Sequence, residues 1–318
     1  MTTNILAGRD YLRMLDLTTE EFRLVLDTAI AEKARFKEKL AQAMSEAPYT
    51  GRAVGIILEK PSLRTRVSFE RAVHRLGAQP IVMGDTNSAF SRGESEKDTM
   101  MVLERYVDAV VIRSFAQQRV QNLADWASVP VINALTDDFH PCQGLADFLT
   151  IEENFGMLAG LKLAYLGDGA NNMAHTYLEG GALAGMSVVI ACPEGYQPNP
   201  QYLAEAQAVA ERTGALLEVT ESVHNALKEA DIVITDAWAS MGFEEQHDIR
   251  AEALKPYQVT AQSFKLASRE AIFLHCLPAH RGEEVTDEVM DASYSRIYDE
   301  AENRMHVQQA LLLLLMAE

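Results

Sequence analysis

Short apolar runs alternate with amphipathic stretches along most of the chain. Four apolar runs, largely β-branched, predict strands in the first half at 53–58, 80–83, 109–112 and 129–134. Five further runs predict strands in the second half at 163–166, 188–191, 217–220, 232–235 and 272–275. Helical segments separate successive runs, so each half is predicted to form a βα repeat around a parallel sheet. The predicted fold class is α/β, with two doubly wound domains in which helices flank a parallel sheet.

The two predicted domains comprise residues 1–150 and 151–302 and are joined by interdomain helices. The break falls near 150–161, after a helix that carries Leu145, Phe148 and Leu149 on one face. Residues 1–50 are predicted to be helical and amphipathic, and Thr18 to Glu21 has the composition of a helix start.

The turn after the first strand has the features of an anion site. Pro61 ends the strand, and apolar residues at helical spacing predict a helix with Ser62 as its N-cap: Phe69, Ala72, Val73 and Leu76. A helix N-terminus offers unpaired N–H groups, and Arg64 and Arg66 add positive charge there. The alternative is an ordinary capped helix whose arginines pair with Glu59 and Glu70.

Composition narrows the possible partners of that site. The chain has 318 residues, of which 48% are hydrophobic and 23% charged, and its formal net charge is -18. This balance is typical of a globular protein, and the negative charge disfavours binding to nucleic acid or to an anionic membrane surface. A basic cluster in such a chain is therefore expected to be a local pocket.

Cysteine usage and the absence of a leader-like segment favour a cytoplasmic protein. Cys142, Cys192 and Cys276 are widely spaced, without a CxxC pair or zinc-like spacing, so they are expected to be free thiols and no metal or cofactor is predicted. No basic stretch followed by an apolar one opens the sequence, and 311–316 is too short to cross a bilayer.

Polar residues follow several predicted strands, at the sheet edge where ligands of α/β proteins bind. Arg113 follows the third strand, while His140 and Gln143 stand near a helix entrance that Pro141 suits. A lone histidine is more often structural than catalytic. Convergence of His140, Gln143 and Arg113 with the Ser62 turn at one edge nevertheless favours a functional site.

The second half places different groups at its strand ends. The stretch from Gly167 to Asn172 is either a plain glycine turn or a ligand-binding loop, and it lacks the third glycine of a dinucleotide fingerprint. Asp236 and Ser240 follow another strand in a loop that could bind a zwitterion, and Cys276 precedes a proline-restricted turn.

Taken together, these motifs resemble the ornithine carbamoyltransferases over nearly the whole chain. The motifs that carry the resemblance are Ser62-Leu63-Arg64-Thr65-Arg66, His140-Pro141-Cys142-Gln143, Asp236-Ala237-Trp238-Ala239-Ser240-Met241-Gly242, His275-Cys276-Leu277-Pro278 and Arg304. The first two suit any member of the wider carbamoyltransferase family, whereas the methionine-glycine loop and the cysteine-leucine-proline turn indicate the ornithine branch. The resemblance implies transfer of a carbamoyl group from carbamoyl phosphate to the δ-amine of L-ornithine, giving L-citrulline and phosphate.

The resemblance also implies roles for individual residues. The expected carbamoyl phosphate ligands are Ser62, Leu63, Arg64, Thr65, Arg113, His140, Gln143, Cys276, Leu277 and Arg304. Of these, the expected catalytic residues are Arg113, His140, Cys276 and Arg304. Ornithine is expected to contact Asn172, Asp236, Ser240 and Met241.

Further expectations follow from the same resemblance. The protein is expected to be a homotrimer, or a higher multiple of trimers, whose C-terminal helix 303–318 packs back on the first domain. Aligning on Arg92 places Ala89 where relatives carry a glutamine that reaches a neighbouring subunit's carbamoyl phosphate. Such a protein would serve arginine biosynthesis, and the degradative direction is equally compatible with the sequence. A carbamoyltransferase for N-acetylornithine or putrescine, or a non-catalytic anion-binding protein on this fold, are the alternatives.

Overall fold

The computed structural model describes residues 5–84, 94–238 and 247–317. The chain divides into two compact units. The first comprises Met1–Leu149 together with Glu302–Glu318, and the second comprises Thr150–Ala301.

The first unit contains, within its described residues, a four-stranded parallel sheet whose strands lie in the order Gln79–Gly84, Ala53–Leu58, Ala109–Arg113 and Val131–Leu135. A 3-10 turn at Met14–Asp16 precedes its helices and strands. In chain order these are α1 Thr19–Glu38, α2 Leu40–Ser45, β1 Ala53–Leu58, α3 Leu63–Arg75, β2 Gln79–Gly84, α4 Glu96–Leu103, β3 Ala109–Arg113, α5 Gln117–Trp126, β4 Val131–Leu135 and α6 Pro141–Phe155. Along the chain, α6 runs past the boundary after Leu149 into the second unit.

The second unit contains, among the residues that are described, a five-stranded parallel sheet whose strands lie in the order Leu217–Thr220, Ser187–Ala191, Lys162–Leu166, Ile232–Thr235 and Ile272–Leu274. A short 3-10 turn at Lys255–Tyr257 follows the helix His247–Leu254. The elements are β5 Lys162–Leu166, α7 Asn172–Ala184, β6 Ser187–Ala191, α8 Pro200–Thr213, β7 Leu217–Thr220, α9 Val223–Leu227, β8 Ile232–Thr235, α10 His247–Leu254, α11 Ala261–Phe264, β9 Ile272–Leu274, α12 Asp287–Met290 and α13 Ile297–Leu315. The helix α13 begins in this unit and continues into residues of the first.

The predicted fold class is confirmed, and the nine predicted strands are present with small shifts at their ends. The strand β4 begins at Val131 and not at 129, because Pro130 has no N–H to donate to a ladder. The strand β9 ends at Leu274, because the N–H of His275 donates to the Glu300 carboxylate at 2.8 Å.

Residues before 50 are only partly helical, which corrects the prediction of a helical N-terminal segment. The predicted helix start is confirmed, since Thr18 caps α1 and exchanges hydrogen bonds with Glu21. Upstream, however, the buried Tyr11 forms a β-bridge with Ile132, and its N–H donates to Val131 at 2.9 Å. The backbone of this extended segment therefore pairs with the edge of the sheet beside β4, and the Tyr11 side chain is buried.

Apolar side chains pack between each sheet and its helices. In the first unit, Val110 and Ile112 of β3 pack in one cluster with Leu123 of α5. In the second, Val233 and Phe273 of neighbouring strands share a cluster with helix residues. Helices long and apolar enough to cross a membrane are not found in the part of the chain that the structure describes.

Candidate active site

The turn between β1 and α3 forms the predicted capped helix start. The Ser62 hydroxyl oxygen accepts the Thr65 backbone N–H at 3.2 Å, so Ser62 is confirmed as the N-cap. Leu63, at the first position of the helix, is 76% exposed. Arg64 is half-buried, and its guanidinium has no hydrogen bond or ion pair to any other described residue. The turn therefore combines a helix N-terminus with a positive charge that no described residue compensates.

Arg66, by contrast, does not add charge to this turn. Its Nε atom donates to Glu70 Oε1 at 2.9 Å on the exposed side of α3, an (i, i+4) ion pair. Glu59 is engaged elsewhere, because its carboxylate pairs with Arg119 at 2.6 Å and accepts the Ser114 hydroxyl. The alternative interpretation thus holds for Arg66 with Glu70, and the expectation of two arginines at the anion site is wrong.

Four more side chains of the first unit gather around the buried Thr65 hydroxyl. Arg304 Nη2 donates to Thr65 Oγ1 at 3.0 Å, and Arg113 Nη1 lies 3.5 Å from the same atom. Arg304 Nη1 lies 3.3 Å from His140 Nε2 and also donates to Gln143 Oε1. All five residues are at most 5% exposed. The structure therefore brings together Thr65, Arg113, His140, Gln143 and Arg304, to which we refer as the Thr65 cluster.

The side chains of the Thr65 cluster come from different strands and helices of the first unit. Arg113 is the last residue of β3, and His140 precedes α6, whose first residue is Pro141 as the sequence predicted. Gln143 donates from its Nε2 atom to Asp147 at 2.7 Å, so its amide oxygen faces Arg304. The Asp147 carboxylate, which sequence patterns did not single out, thereby fixes the orientation of Gln143.

The surroundings of His140 keep its ring neutral. Burial, followed by the charges of Arg304, Arg113 and Arg64, lowers the pKa of His140 well below that of a free histidine. A guanidinium can only donate, so Nε2 of the neutral ring accepts from Arg304 and the hydrogen is assigned to Nδ1. The ring can therefore offer a neutral N–H donor from Nδ1.

The second unit presents a carboxylate at the end of β8. Asp236 accepts from the Asn171 amide at 3.2 Å, from the Cys276 thiol at 3.2 Å and from the Ala237 N–H at 2.8 Å. Within the described residues it has no ion pair with a lysine, arginine or histidine. Ser240 and Met241, the other expected ornithine contacts in this loop, lie outside the described residues, as does Ala89 in the first unit.

Asn171 and Tyr165 also belong to the group of side chains around Asp236. The sequence motifs indicated the neighbouring Asn172 instead. Asn171 is the N-cap of α7, and its amide donates to Tyr165 at 2.8 Å as well as to Asp236. Asn172 is the first residue of the helix and half-buried. The preference for asparagine at the N-cap, directly before a helical pattern, is the signal that identifies Asn171.

Asp168, the second carboxylate at this edge, is neutralised within the protein. It pairs with Arg250, whose Nε atom also donates to the Trp238 carbonyl at 2.6 Å. Burial raises the pKa of Asp168, and the charge of Arg250 opposes that shift. Since Arg250 compensates Asp168, Asp236 is the carboxylate of this cluster that can attract a cationic ligand.

Cys276 and Leu277 follow β9 in the second unit, where Cys276 contacts Asp236. Leu277 has a φ of 57°, a conformation that is costly for a leucine and is concentrated at functional sites. Its N–H donates to Nδ1 of the buried His275 at 3.0 Å, and Nε2 of that ring lies 3.1 Å from Glu284. Ligand atoms of Asp236, His275 and Cys276 lie within 4.8 Å of one another, but both ring nitrogens of His275 are engaged. The trio is therefore better described as a hydrogen-bonded turn than as a metal centre.

The three thiols differ in their surroundings. Burial raises the pKa of Cys142 to about 12 and that of Cys192 to about 11, so both are protonated at neutral pH. Cys276 is half-buried at the edge of the second sheet. All three are free, as the sequence predicted.

Comparison with known families accounts for both halves of the chain. Residues 9–153 match "Aspartate/ornithine carbamoyltransferase, carbamoyl-P binding domain", and residues 159–315 match "Aspartate/ornithine carbamoyltransferase, Asp/Orn binding domain". The chain belongs to the aspartate/ornithine carbamoyltransferase family.

Individual relatives point to the ornithine branch. An ornithine carbamoyltransferase from Symbiobacterium thermophilum is 49% identical over 317 residues, covering 100% of both chains. The structure of the ornithine carbamoyltransferase from Pyrococcus furiosus matches with a TM-score of 0.92 and 43% identity, covering 98% of each chain. That from Gloeobacter violaceus matches with a TM-score of 0.86 and 44% identity, covering 98% of this chain and 99% of the other.

Proposed function

We propose that this protein transfers the carbamoyl group of carbamoyl phosphate to the δ-amine of L-ornithine, giving L-citrulline and phosphate. The Thr65 cluster together with Arg64 carries the proposal. It gathers two buried guanidiniums and a neutral imidazole around one hydroxyl, while the charge of Arg64 also acts on His140 and no described residue pairs ionically with Arg64. Such a concentration of buried positive charge requires an anionic ligand with several oxygen atoms. The relatives named above are ornithine carbamoyltransferases, which supports the same conclusion.

The first unit is proposed to bind carbamoyl phosphate. The N-terminus of α3, comprising Ser62, Leu63, Arg64 and Thr65, would hold the phosphate with Arg113. His140 and Gln143 would bind the carbamoyl group, and Arg304 would donate to it. These donors are fixed before the reaction begins, so they can stabilise negative charge on the carbonyl oxygen without reorganising.

The second unit is proposed to bind ornithine. Asp236 would attract an ammonium group of the amino acid, with Asn172, Ser240 and Met241 as further contacts. Cys276 and Leu277 would lie near the δ-amine, as the resemblance implies. A free α-ammonium group gives Asp236 a charged partner, whereas the acetylated amine of N-acetylornithine would not. This favours ornithine over the acetylated substrate.

The chemistry needs two substrates bound at once and no covalent intermediate. The neutral δ-nitrogen attacks the carbonyl carbon, the bond from that carbon to the phosphate oxygen breaks, and phosphate departs with the bonding electrons. The proton lost by the amine can be accepted by the departing phosphate. The protein contributes orientation and electrostatic stabilisation.

The proposal extends to the oligomeric state of the protein and to its cellular role. We infer a cytoplasmic homotrimer, or a multiple of trimers, that serves arginine biosynthesis. The exposed Leu63 and Val67 lie one turn apart on α3 and offer apolar surface for a subunit interface. Sedimentation of the purified protein measures the assembly directly, and a monomer would contradict this part.

Citrulline formation from carbamoyl phosphate and ornithine is the decisive assay. Parallel reactions with N-acetylornithine and putrescine distinguish the amine substrate, and we expect product with ornithine at the highest kcat/KM. Product with none of the three amines, combined with measurable binding of phosphate, would identify a non-catalytic anion-binding protein instead.

A further inference from the structure

A tight turn of the second unit carries side chains that the proposed transfer does not use. Residues 281–285 form this turn, which a β-bridge between Arg281 and Val285 closes. Gln258 fixes the turn from outside, because its Nε2 atom donates to the carbonyls of Gly282 and Glu283 at 2.8 and 2.6 Å. Side chains in and beside the turn are therefore held by a well-bonded backbone.

Ligand atoms of three such side chains converge. One nitrogen of His280 and one carboxylate oxygen each of Glu283 and Glu284 all lie within 4.8 Å of one another. His280 and Glu283 are 46% and 36% exposed, so water and ions reach the cluster, whereas the Glu284 side chain is 0% exposed. An ion could thus enter from the solvent side and meet a buried carboxylate.

The two oxygens of Glu284 have different surroundings. Oε1 accepts the His280 backbone N–H at 2.6 Å and lies 3.1 Å from Nε2 of His275. Oε2 is fully buried, and no described residue forms a hydrogen bond with it. Burying a carboxylate oxygen without a hydrogen-bond partner costs free energy, and a cation bound beside that atom would stabilise it.

Distances in the cluster suit a bridging ion better than a direct contact. His280 Nδ1 lies 3.8 Å from Glu284 Oε2, which is too long for a hydrogen bond. Two ligand atoms that share one tetrahedral ion at bond lengths near 2.1 Å stand about 3.4 Å apart. A small inward rotation of the exposed His280 ring would therefore bring these two ligand atoms to the separation that a shared ion requires.

We propose that His280, Glu283 and Glu284 form a binding site for a divalent transition-metal ion such as Zn²⁺. Three protein ligands leave one position of a tetrahedral ion open to water. His247 stands beside the site with Nε2 3.0 Å from Glu283 Oε2, where it orients that carboxylate from outside the coordination sphere. The imidazole ligand favours Zn²⁺ over Mg²⁺, which prefers six oxygen ligands.

The test measures Zn²⁺ binding by calorimetry on the metal-stripped full-length protein. We expect one site per chain with a Kd that rises roughly tenfold or more in His280→Ala and in Glu283→Gln. His224→Ala, which removes another exposed histidine of the same unit, is the matched control and should bind Zn²⁺ as the unmodified protein does. An equal concentration of Mg²⁺ should not compete with Zn²⁺ for the site. Both test variants alter exposed or half-exposed side chains, and circular dichroism verifies that they fold.

Cobalt(II) separates this site from the trio of Asp236, His275 and Cys276. Co²⁺ bound at the proposed site has nitrogen and oxygen ligands, so its spectrum should lack a thiolate-to-cobalt charge-transfer band, and Cys276→Ser should leave binding unchanged. A thiolate band that disappears in Cys276→Ser would assign the metal to the other cluster. Unchanged Zn²⁺ affinity in His280→Ala, or no stoichiometric binding to the unmodified protein, would equally overturn the proposal.

Discussion

The two units use the same architecture but place opposite charge at the carboxyl ends of their strands. In the first unit, the guanidiniums of Arg113 and Arg304 meet a neutral His140 around Thr65. In the second, Asp236 stands among an amide and a thiol without a described cationic partner. Parallel sheets position loops at this edge, and the charge of the side chains there decides which ligand is attracted. One fold thus presents a cationic cluster in one unit and a carboxylate without a described cationic partner in the other.

Ionisation of neighbouring groups reflects the same contrast. Burial and the arginine charges lower the pKa of His140 in the first unit. Burial and then the charges of Asp236 and Asp168 raise the pKa of Tyr165 far above that of a free tyrosine in the second. Burial first, and then the cations around His140 and the carboxylates around Tyr165, disfavour the charged form of each group, so both are uncharged at neutral pH. Neutral donors therefore accompany the charged group in each unit.

The largest expected effect is the loss of Arg64 from the first unit. Arg64→Ala should lower kcat/KM by roughly 100- to 1,000-fold, the usual cost of removing a donor that stabilises developing negative charge. Arg66→Ala is the matched control, because this neighbouring arginine pairs with Glu70. Steady-state kinetics and thermal unfolding of both variants make the comparison. Equal losses in the two variants would mean that the difference in their pairing has no functional consequence.

A somewhat smaller effect is expected from the carboxylate of the second unit. Asp236→Asn should raise the KM for ornithine on the order of tenfold or more, because an amide does not attract an ammonium group, and should alter the KM for carbamoyl phosphate much less. Glu252→Gln changes the net charge equally at an exposed position of α10 and should alter neither value. A larger rise in the KM for carbamoyl phosphate than for ornithine would reverse the assignment of the two units.

Stability should depend on pH through His140. Because its pKa is lowered on folding, the unfolded chain binds this proton at a higher pH than the folded protein does. Its contribution to the free energy of unfolding is complete above about pH 6.5 and decreases as the pH falls below that value. Urea unfolding at about pH 8 and about pH 5.5 should therefore show a smaller decrease in stability for His140→Gln than for the unmodified protein. Parallel decreases would indicate that His140 is protonated in the folded state.

The smallest effect is predicted for Asn171, which both caps α7 and holds Asp236. Asn171→Ala should lower the free energy of unfolding by about 1 kcal/mol and raise the KM for ornithine a few-fold. Ser222→Ala removes the N-cap of α9 in the same unit, where the side chain accepts from Asn225. It should cost similar stability with no change in KM. A KM that rises equally in both variants would attribute the effect of Asn171 to general destabilisation.

Local features of the fold were predictable because short stretches of sequence determine them. Ser62 before an amphipathic pattern and Pro141 at a helix start were correctly placed by rules that involve a single turn of chain. The end of β9 is not predictable in this way, since the N–H of His275 donates to Glu300, 25 positions later in sequence. No periodicity within a strand carries that information.

The candidate site was only partly predictable for the same reason. Residue types and strand ends indicated that Arg113 and His140 lie at one edge, but the contact of Arg304 with Thr65 joins residues 239 positions apart. Only the resemblance to a family pointed to Arg304. The difference between Arg64 and Arg66 depends on which side of α3 each residue occupies, and Glu70 one turn later decides it. Family resemblance indicates Asn172, whereas the N-cap preference for asparagine indicates its neighbour Asn171, which contacts Asp236.

The division of the chain has a consequence for the order in which the protein is made. The second unit is one continuous stretch, whereas the first needs residues 302–318, which come after the whole of the second unit. A ribosome therefore delivers everything that the second sheet requires before it delivers Arg304 to the Thr65 cluster. The unit whose synthesis begins first is completed last, so a nascent chain cannot assemble the Thr65 cluster until the second unit has been fully synthesised.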